Sequence, residues 1–184
     1  MKSLLFISTI LLITILANAQ PTHTQPAPAD RAQPAPAGKS QPISAILQAS
    51  PYHQRHTEMG GVRLELRGIY IDDGLLWLVF RGVNHSAIDF RPATMHIAIR
   101  DKHALKRRAL QERPLTPVIK YEPSTVQADS TVLFCYGLIP RIPGKKKELG
   151  IEWMEKNGDR RLLLRLSASS ILTARKVSPT RAKN

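Results

Sequence analysis

The chain has 184 residues, with 27 Lys and Arg against 14 Asp and Glu, a formal charge of +13 and a pI near 10.4. Such a charge points toward polyanions, because clustered Lys and Arg release counterions from phosphates, yet a basic protein kept soluble by its charge satisfies the same numbers. A single cysteine, Cys135, excludes an intramolecular disulfide.

The first nineteen residues read as an export signal. Lys2 supplies a positive start, Leu4 to Leu16 form an uncharged, mostly apolar run, and Ala17-Asn18-Ala19 offers the small-x-small pattern of a cleavage site, placing the cut between Ala19 and Gln20. Thirteen residues of helix span about 20 Å, short of the roughly 30 Å hydrocarbon core, so a cleaved leader fits better than a membrane anchor. Gln20, not a cysteine, follows the site, which argues against a lipid anchor. Export makes anionic envelope surfaces and acidic proteins the natural recipients of the positive field, ahead of nucleic acid.

Residues 20–57 are rich in Pro, Ala, Gln, Thr and Ser and contain the near-repeat Gln25-Pro26-Ala27-Pro28-Ala29 and Gln33-Pro34-Ala35-Pro36-Ala37. Prolines fix φ and remove amide donors, so this stretch is expected to be a disordered, extended spacer. Ile43, Ile46 and Leu47 could form one apolar turn within it.

From 58 to 178 the pattern becomes that of strands. Val62, Leu64 and Leu66 alternate with Arg63, Glu65 and Arg67, the period-two signature of a sheet with one wet face. Asp72-Asp73-Gly74 turns the chain into Leu75 to Phe80, a continuous apolar run expected to be covered on both faces. Met95, Ile97 and Ile99 alternate with His96, Ala98 and Arg100; Thr131 to Tyr136 is a further strand in which Cys135 reads as a buried thiol. Asp101 to Pro117 carries a basic cluster and two prolines, Pro114 and Pro117, and reads as a loop leading into an irregular edge strand. Leu149, Ile151 and Trp153 face Leu162, Leu164 and Leu166 across Asn157-Gly158, whose positive φ values suit a tight hairpin turn. Seven to nine short strands in this span predict an all-β fold, an immunoglobulin-like β-sandwich, followed by a disordered tail over 179–184.

Signals for enzyme chemistry are poor, and the sequence gives no catalytic, cofactor-binding or metal-binding residues. Asp72-Asp73 belongs to a turn and Glu152 with Glu155 borders a hairpin. His53 and His56 are three apart without a third ligand; His85, His96 and His103 are dispersed. Asn84-His85-Ser86 matches a glycosylation pattern but fits a side-chain-bonded turn better. Lys145-Lys146-Lys147 reads as a charged loop tip, and Trp77 and Trp153 as core or sheet-face residues.

Several short motifs occur in a telling order: Gly68-Ile69-Tyr70-Ile71; Asn84-x-Ser86-x-Ile88-Asp89-Phe90; Asp101-Lys102 with Lys106-Arg107-x-Ala109-x-Gln111-Glu112 and Pro117; and Glu155-Lys156-Asn157-Gly158-x-Arg160. Together they resemble the carboxy-terminal region of the TraN family of conjugative transposon proteins, across roughly residues 60–177. The resemblance implies a structural, non-catalytic part of a conjugative transfer apparatus akin to type IV secretion systems. It would be exported to the periplasm, on the outer-membrane side of the envelope, and would work by protein–protein association. Members of that family usually carry a further amino-terminal β-rich region, where this chain has the proline-rich spacer, so functions of that half are not carried over. Expected partners are other conjugation proteins of the envelope and further copies of the chain in the assembly, with no cofactor, no small-molecule substrate, no integral membrane span and no direct DNA contact. The candidate interface is Lys102, Lys106, Arg107, Arg108, Gln111 and Glu112. The alternative is a secreted or periplasmic binding module for an anionic glycan or peptide.

Overall fold

The computed structural model describes residues 43–53, 55–102 and 112–177. The cleavage site at Ala19 and Gln20, most of the spacer and the tail lie outside them, as do Lys106, Arg107, Arg108 and Gln111. Within the described residues are β1 (Arg55–Met59), β2 (Val62–Asp72), β3 (Leu75–Asn84), β4 (His96–Asp101), β5 (Glu112–Pro114), β6 (Ile119–Tyr121), β7 (Ser130–Leu138), β8 (Lys147–Met154), β9 (Arg161–Leu166) and β10 (Arg175–Lys176). Two short helices, α1 (Ile43–Gln48) and α2 (Ala168–Leu172), complete the set.

The fold is an all-β sandwich. One sheet runs β1-β2-β3-β7-β6, with β10 also joined to β2, and the other runs β5-β4-β8-β9. Strand pairs are antiparallel except β10 with β2. Ten strands exceed the seven to nine expected, because edge segments as short as β10 carry too few residues to show a period. The alternation read from sequence decides what enters the core: Val62, Leu64 and Leu66 meet Leu76, Leu78, Phe80, Phe134, Tyr136 and, from the facing sheet, Leu149, Ile151, Trp153, Leu162, Leu164 and Leu166.

β2 changes face halfway along. Its register with β3 steps from Leu66↔Phe80 to Gly68↔Val79, leaving Arg67 as an extra residue. A side-chain period of two means that one inserted residue exchanges the faces. After the bulge Ile69 joins the inner core while Tyr70 points into a second apolar cluster outside the sheet. β2's free edge is shared accordingly: β1 pairs with Val62 to Leu66, and β10 with Tyr70 and Ile71.

That outer cluster explains the apolar run in β3. Trp77, Val79, Cys135 and Tyr70 are buried on the outer face under Ile46, with Ile43, Leu47, Ala49 and Tyr52 packed around them. Residues 43–53 thus form a strap, and Ile46 is fully buried. The composition-based spacer over 20–57 is therefore too long at its carboxy-terminal end, where α1 and β1 are parts of the fold; the apolar turn of Ile43, Ile46 and Leu47 is the helix α1. The strap is tied down by backbone donors Tyr52 N and His53 N to Arg67 O, 2.9 and 3.1 Å, and by Tyr70 Oη to Ser50 O, 2.7 Å. Tyr52 Oη also donates to Ile69 O.

Turn chemistry is mostly as expected. Asp73 and Gly74 both have positive φ between β2 and β3, and Gly60 and Gly61 do so between β1 and β2, matching two-residue hairpins. The β8–β9 connection differs: it is longer, closed by Glu155 N to Arg160 O at 2.9 Å, and only Asn157 has positive φ. Gly158 is needed there for space, since a Cβ would sit 2.3 Å from Glu155 Oε2.

Candidate functional site

Two of the motifs that carry the family resemblance converge at one end of the sandwich. Arg160, in the β8–β9 loop, donates from Nε to Glu155 Oε2 at 2.8 Å and from Nη2 to Glu155 Oε1, a bidentate pair. The same guanidinium reaches the segment after β3, donating from Nη2 to Asp89 O at 2.9 Å and from Nη1 to Ser86 Oγ at 3.3 Å. It also lies 5.2 Å from the centre of the Phe90 ring, which packs edge-on against Trp153. Glu155 is only 15% and Arg160 16% exposed, so water screens the pair little. The hydrogen bonds from Arg160 hold the Glu155 carboxyl below its ordinary pKa.

Asn84 anchors the other side. It is fully buried, and its Nδ2 donates to Ile88 O, Val126 O and Gln127 O at 2.9, 3.1 and 3.1 Å. Its Oδ1 accepts from Ser86 N and Ser86 Oγ at 3.0 and 2.7 Å. Asn84-His85-Ser86 is therefore the expected side-chain-bonded turn, with an amide nitrogen engaged by three carbonyls. Phe90 and Val126 exchange backbone hydrogen bonds of 2.9 and 2.8 Å beside it. The cluster Asn84, Ser86, Asp89, Phe90, Glu155 and Arg160 is a clasp that joins the two sheets.

A second constellation was not read from sequence. On the outer face of the four-stranded sheet, Arg100 is 7% exposed and lies across Gly150, where a Cβ would come within 2.7 Å of its Nε. It meets Glu152 at 3.0 Å, Glu148 at 3.3 Å and Glu112 at 4.0 Å. Arg161 reaches Glu152 at 2.6 Å, Arg165 approaches Glu148 at 3.6 Å, and His96 approaches Glu112 at 3.5 Å. Once β4, β8 and β9 are paired, the alternation of basic and acidic residues makes this network legible; strand pairing was the missing information.

Of the predicted interface, Lys102 stands at the end of β4, where its N–H donates to Lys146 O at 3.0 Å, bringing it to the Lys145-Lys146-Lys147 tip. Glu112 lies on edge strand β5 and is committed to His96 and Arg100. The structure does not join Glu152 and Glu155 into a carboxylate pair, since one is held by Arg100 and Arg161 and the other by Arg160.

His53 and His56 both line a pocket of about 340 Å³ that also includes Tyr52, Glu65, Arg67 and Arg81. Burial, with Arg55 and Arg175 nearby, lowers the His53 pKa. Among the described residues no group of three His, Cys, Asp or Glu side chains is placed to hold a metal ion. Burial pushes the Cys135 thiol up to about 12, and burial followed by the hydrogen bond to Glu122 raises the Tyr136 phenol. No helix among the described residues is long and apolar enough to cross a membrane.

Residues 40–176 match a protein family described as Domain of unknown function (DUF4138). No curated protein matches the sequence.

Proposed function

The chain belongs to the DUF4138 family, and we propose that it is a non-enzymatic structural component of a conjugative transfer apparatus, exported to the periplasm and working by association with other envelope proteins. One observation carries this reading. Of the residues through which the sequence resembles the TraN family, six from two of the motifs, Asn84, Ser86, Asp89, Phe90, Glu155 and Arg160, are engaged in the clasp between the two sheets. A pattern that specifies a rigid scaffold, with its polar atoms bonded to one another, suits an assembly subunit better than a reacting centre.

Surfaces suited to association flank that scaffold. Among the described residues the edge strand β6 pairs only with β7, and Val118 and Tyr121 at this edge, with Ile139 just past the end of β7, stand exposed. An unpaired edge bearing apolar side chains is a common mode of protein recognition. The Lys102 and Lys145–Lys147 tip adds a positive field for an acidic partner. In this reading retention at the envelope comes from protein contacts, and DNA is not touched.

Deleting the gene from a donor strain tests the proposal. Conjugative transfer should fall by orders of magnitude and return when the full chain is supplied, but not when residues 1–19 are removed. Undiminished transfer in the deletion strain would reject the role.

A further inference from the structure

We propose that the pocket beside the strap receives a carboxylate side chain from an acidic segment of a partner protein; this rests on the protein-association reading above. The site arises where the covering of the outer sheet face stops. Two successive rows across the six-stranded sheet, Tyr70-Trp77-Gly137-Ile119 and Gly68-Val79-Cys135-Tyr121, are in register. The strap packs on Tyr70, Trp77, Val79 and Cys135 from these rows. The next row is His56-Glu65-Arg81-Leu133. The strap is pinned to Arg67 O through Tyr52 and His53, and the chain then enters β1 at Arg55, leaving the pocket of about 340 Å³ over the charged part of that row.

The lining has the chemistry of a monoanion site. Among the described residues Arg67 and Arg81 are its fixed cations, and Glu65 is its one carboxylate. Glu65 is held by Arg81 at 2.6 Å and flanked by Arg63 at 3.8 Å, so it offers little repulsion that is not already compensated. Arg175 stacks 4.0 Å over the Tyr52 ring, and with Arg55 it adds positive charge beside His53. His53 Nε2 is buried without a hydrogen-bond partner among the described residues. Two guanidiniums against one carboxylate leave a net charge near +1 from these groups, which matches a Glu or Asp side chain better than a phosphate dianion. The bulge explains why the cation is there: Arg67 is the extra residue between Leu66 and Gly68, and the strap binds to its carbonyl.

The test uses the mature chain, labelled with ¹⁵N, and an uncharged-ended hexapeptide containing adjacent glutamates, its glutamine counterpart, and inorganic phosphate. The glutamate peptide should shift resonances of His53, His56, Arg67 and Arg81 and raise the His53 pKa, while the glutamine peptide leaves them in place. Arg67→Gln, which keeps the Glu65–Arg81 pair, should weaken the glutamate peptide by about tenfold or more, the loss of one charge-assisted contact. A second variant, Arg141→Gln, changes an exposed cation outside the pocket and should bind as the parent does. Absence of shifts up to about 10 mM peptide, a scale on which even weak carboxylate contacts register, would overturn the proposal. Equal weakening by both variants, or phosphate binding more tightly than the glutamate peptide, would do the same. Recovery of the Arg67→Gln chain in envelope complexes at the parent level, with no peptide binding by the parent, sinks the pocket alone; loss of the parent chain from those complexes sinks the association reading whatever the peptide does.

Discussion

Breaking the clasp at Arg160 should cost more than its place in a surface loop suggests. Replacing Arg160 by Met keeps an apolar stem near Phe90 but removes the bidentate pair with Glu155 and the bonds to Ser86 Oγ and Asp89 O. An exposed ion pair contributes about 0–1 kcal/mol and removal of one partner from a buried pair costs about 3–5 kcal/mol. With both side chains about 15% exposed, the pair stands between these limits, nearer the buried one. Water can replace the lost partners of Ser86 and Asp89, and the cation over Phe90 adds about 0.5–1 kcal/mol. The expected loss is about 2–3 kcal/mol, or about 10 °C in Tm for a domain of this size. Urea unfolding of Arg160→Met, Glu155→Gln and the double variant at pH 7 separates the pair from its surroundings, with a coupling energy of about 1–2 kcal/mol expected. Arg160→Lys should recover little, because a point charge cannot reproduce the fork. A loss below about 0.5 kcal/mol, or additive single variants, would refute the assignment of the clasp as an inter-sheet fastener.

Three further outcomes follow from burial. Ile46→Ala should destabilise the fold by about 2–4 kcal/mol, as for other large-to-small core changes, because Ile46 is fully buried against Trp77 and Cys135; a neutral result by thermal unfolding would detach the strap from the domain. With its pKa pushed to about 12 from 9.0, Cys135 should react with a thiol reagent about a thousandfold more slowly in the folded chain than in urea at pH 8; comparable rates would mean that the strap opens freely. The His53 pKa lies below its ordinary 6.5, so the unfolded chain binds more protons there: stability from this group is complete above 6.5 and declines as pH falls toward the folded value. Urea midpoints measured across that range should show a slope that His53→Gln flattens, and an unchanged slope would contradict the placement of His53.

How much was legible in advance depended on whether a residue's role is local or requires pairing. Period-two alternation in β2, β4 and β8 and the Asp73-Gly74 turn report local backbone geometry, and they gave these strands and their inward-facing residues correctly. The bulge at Arg67 could not be seen, since an inserted residue looks like a break in the pattern until the partner strand supplies the register. For the same reason the sequence separated Arg100 from Glu148 and Glu152, which meet only when β4 lies beside β8. Asn84 was recognisable as a turn former, but its three carbonyl partners include Val126 and Gln127, more than forty positions away. The apolar turn at Ile43, Ile46 and Leu47 was visible, but not the outer-face cluster of Tyr70, Trp77, Val79 and Cys135 on which it packs, which forms only when β2, β3 and β7 pair.

The claim that this sandwich serves as a scaffold is met most directly by cross-linking donor cells, purifying the tagged full-length chain from their envelopes and identifying what is covalently joined to it. Membership in a transfer machine requires subunits of the conjugative channel among the cross-linked products, with the chain migrating in a high-mass complex. Recovery of the chain as a free soluble monomer, without such subunits, would contradict it.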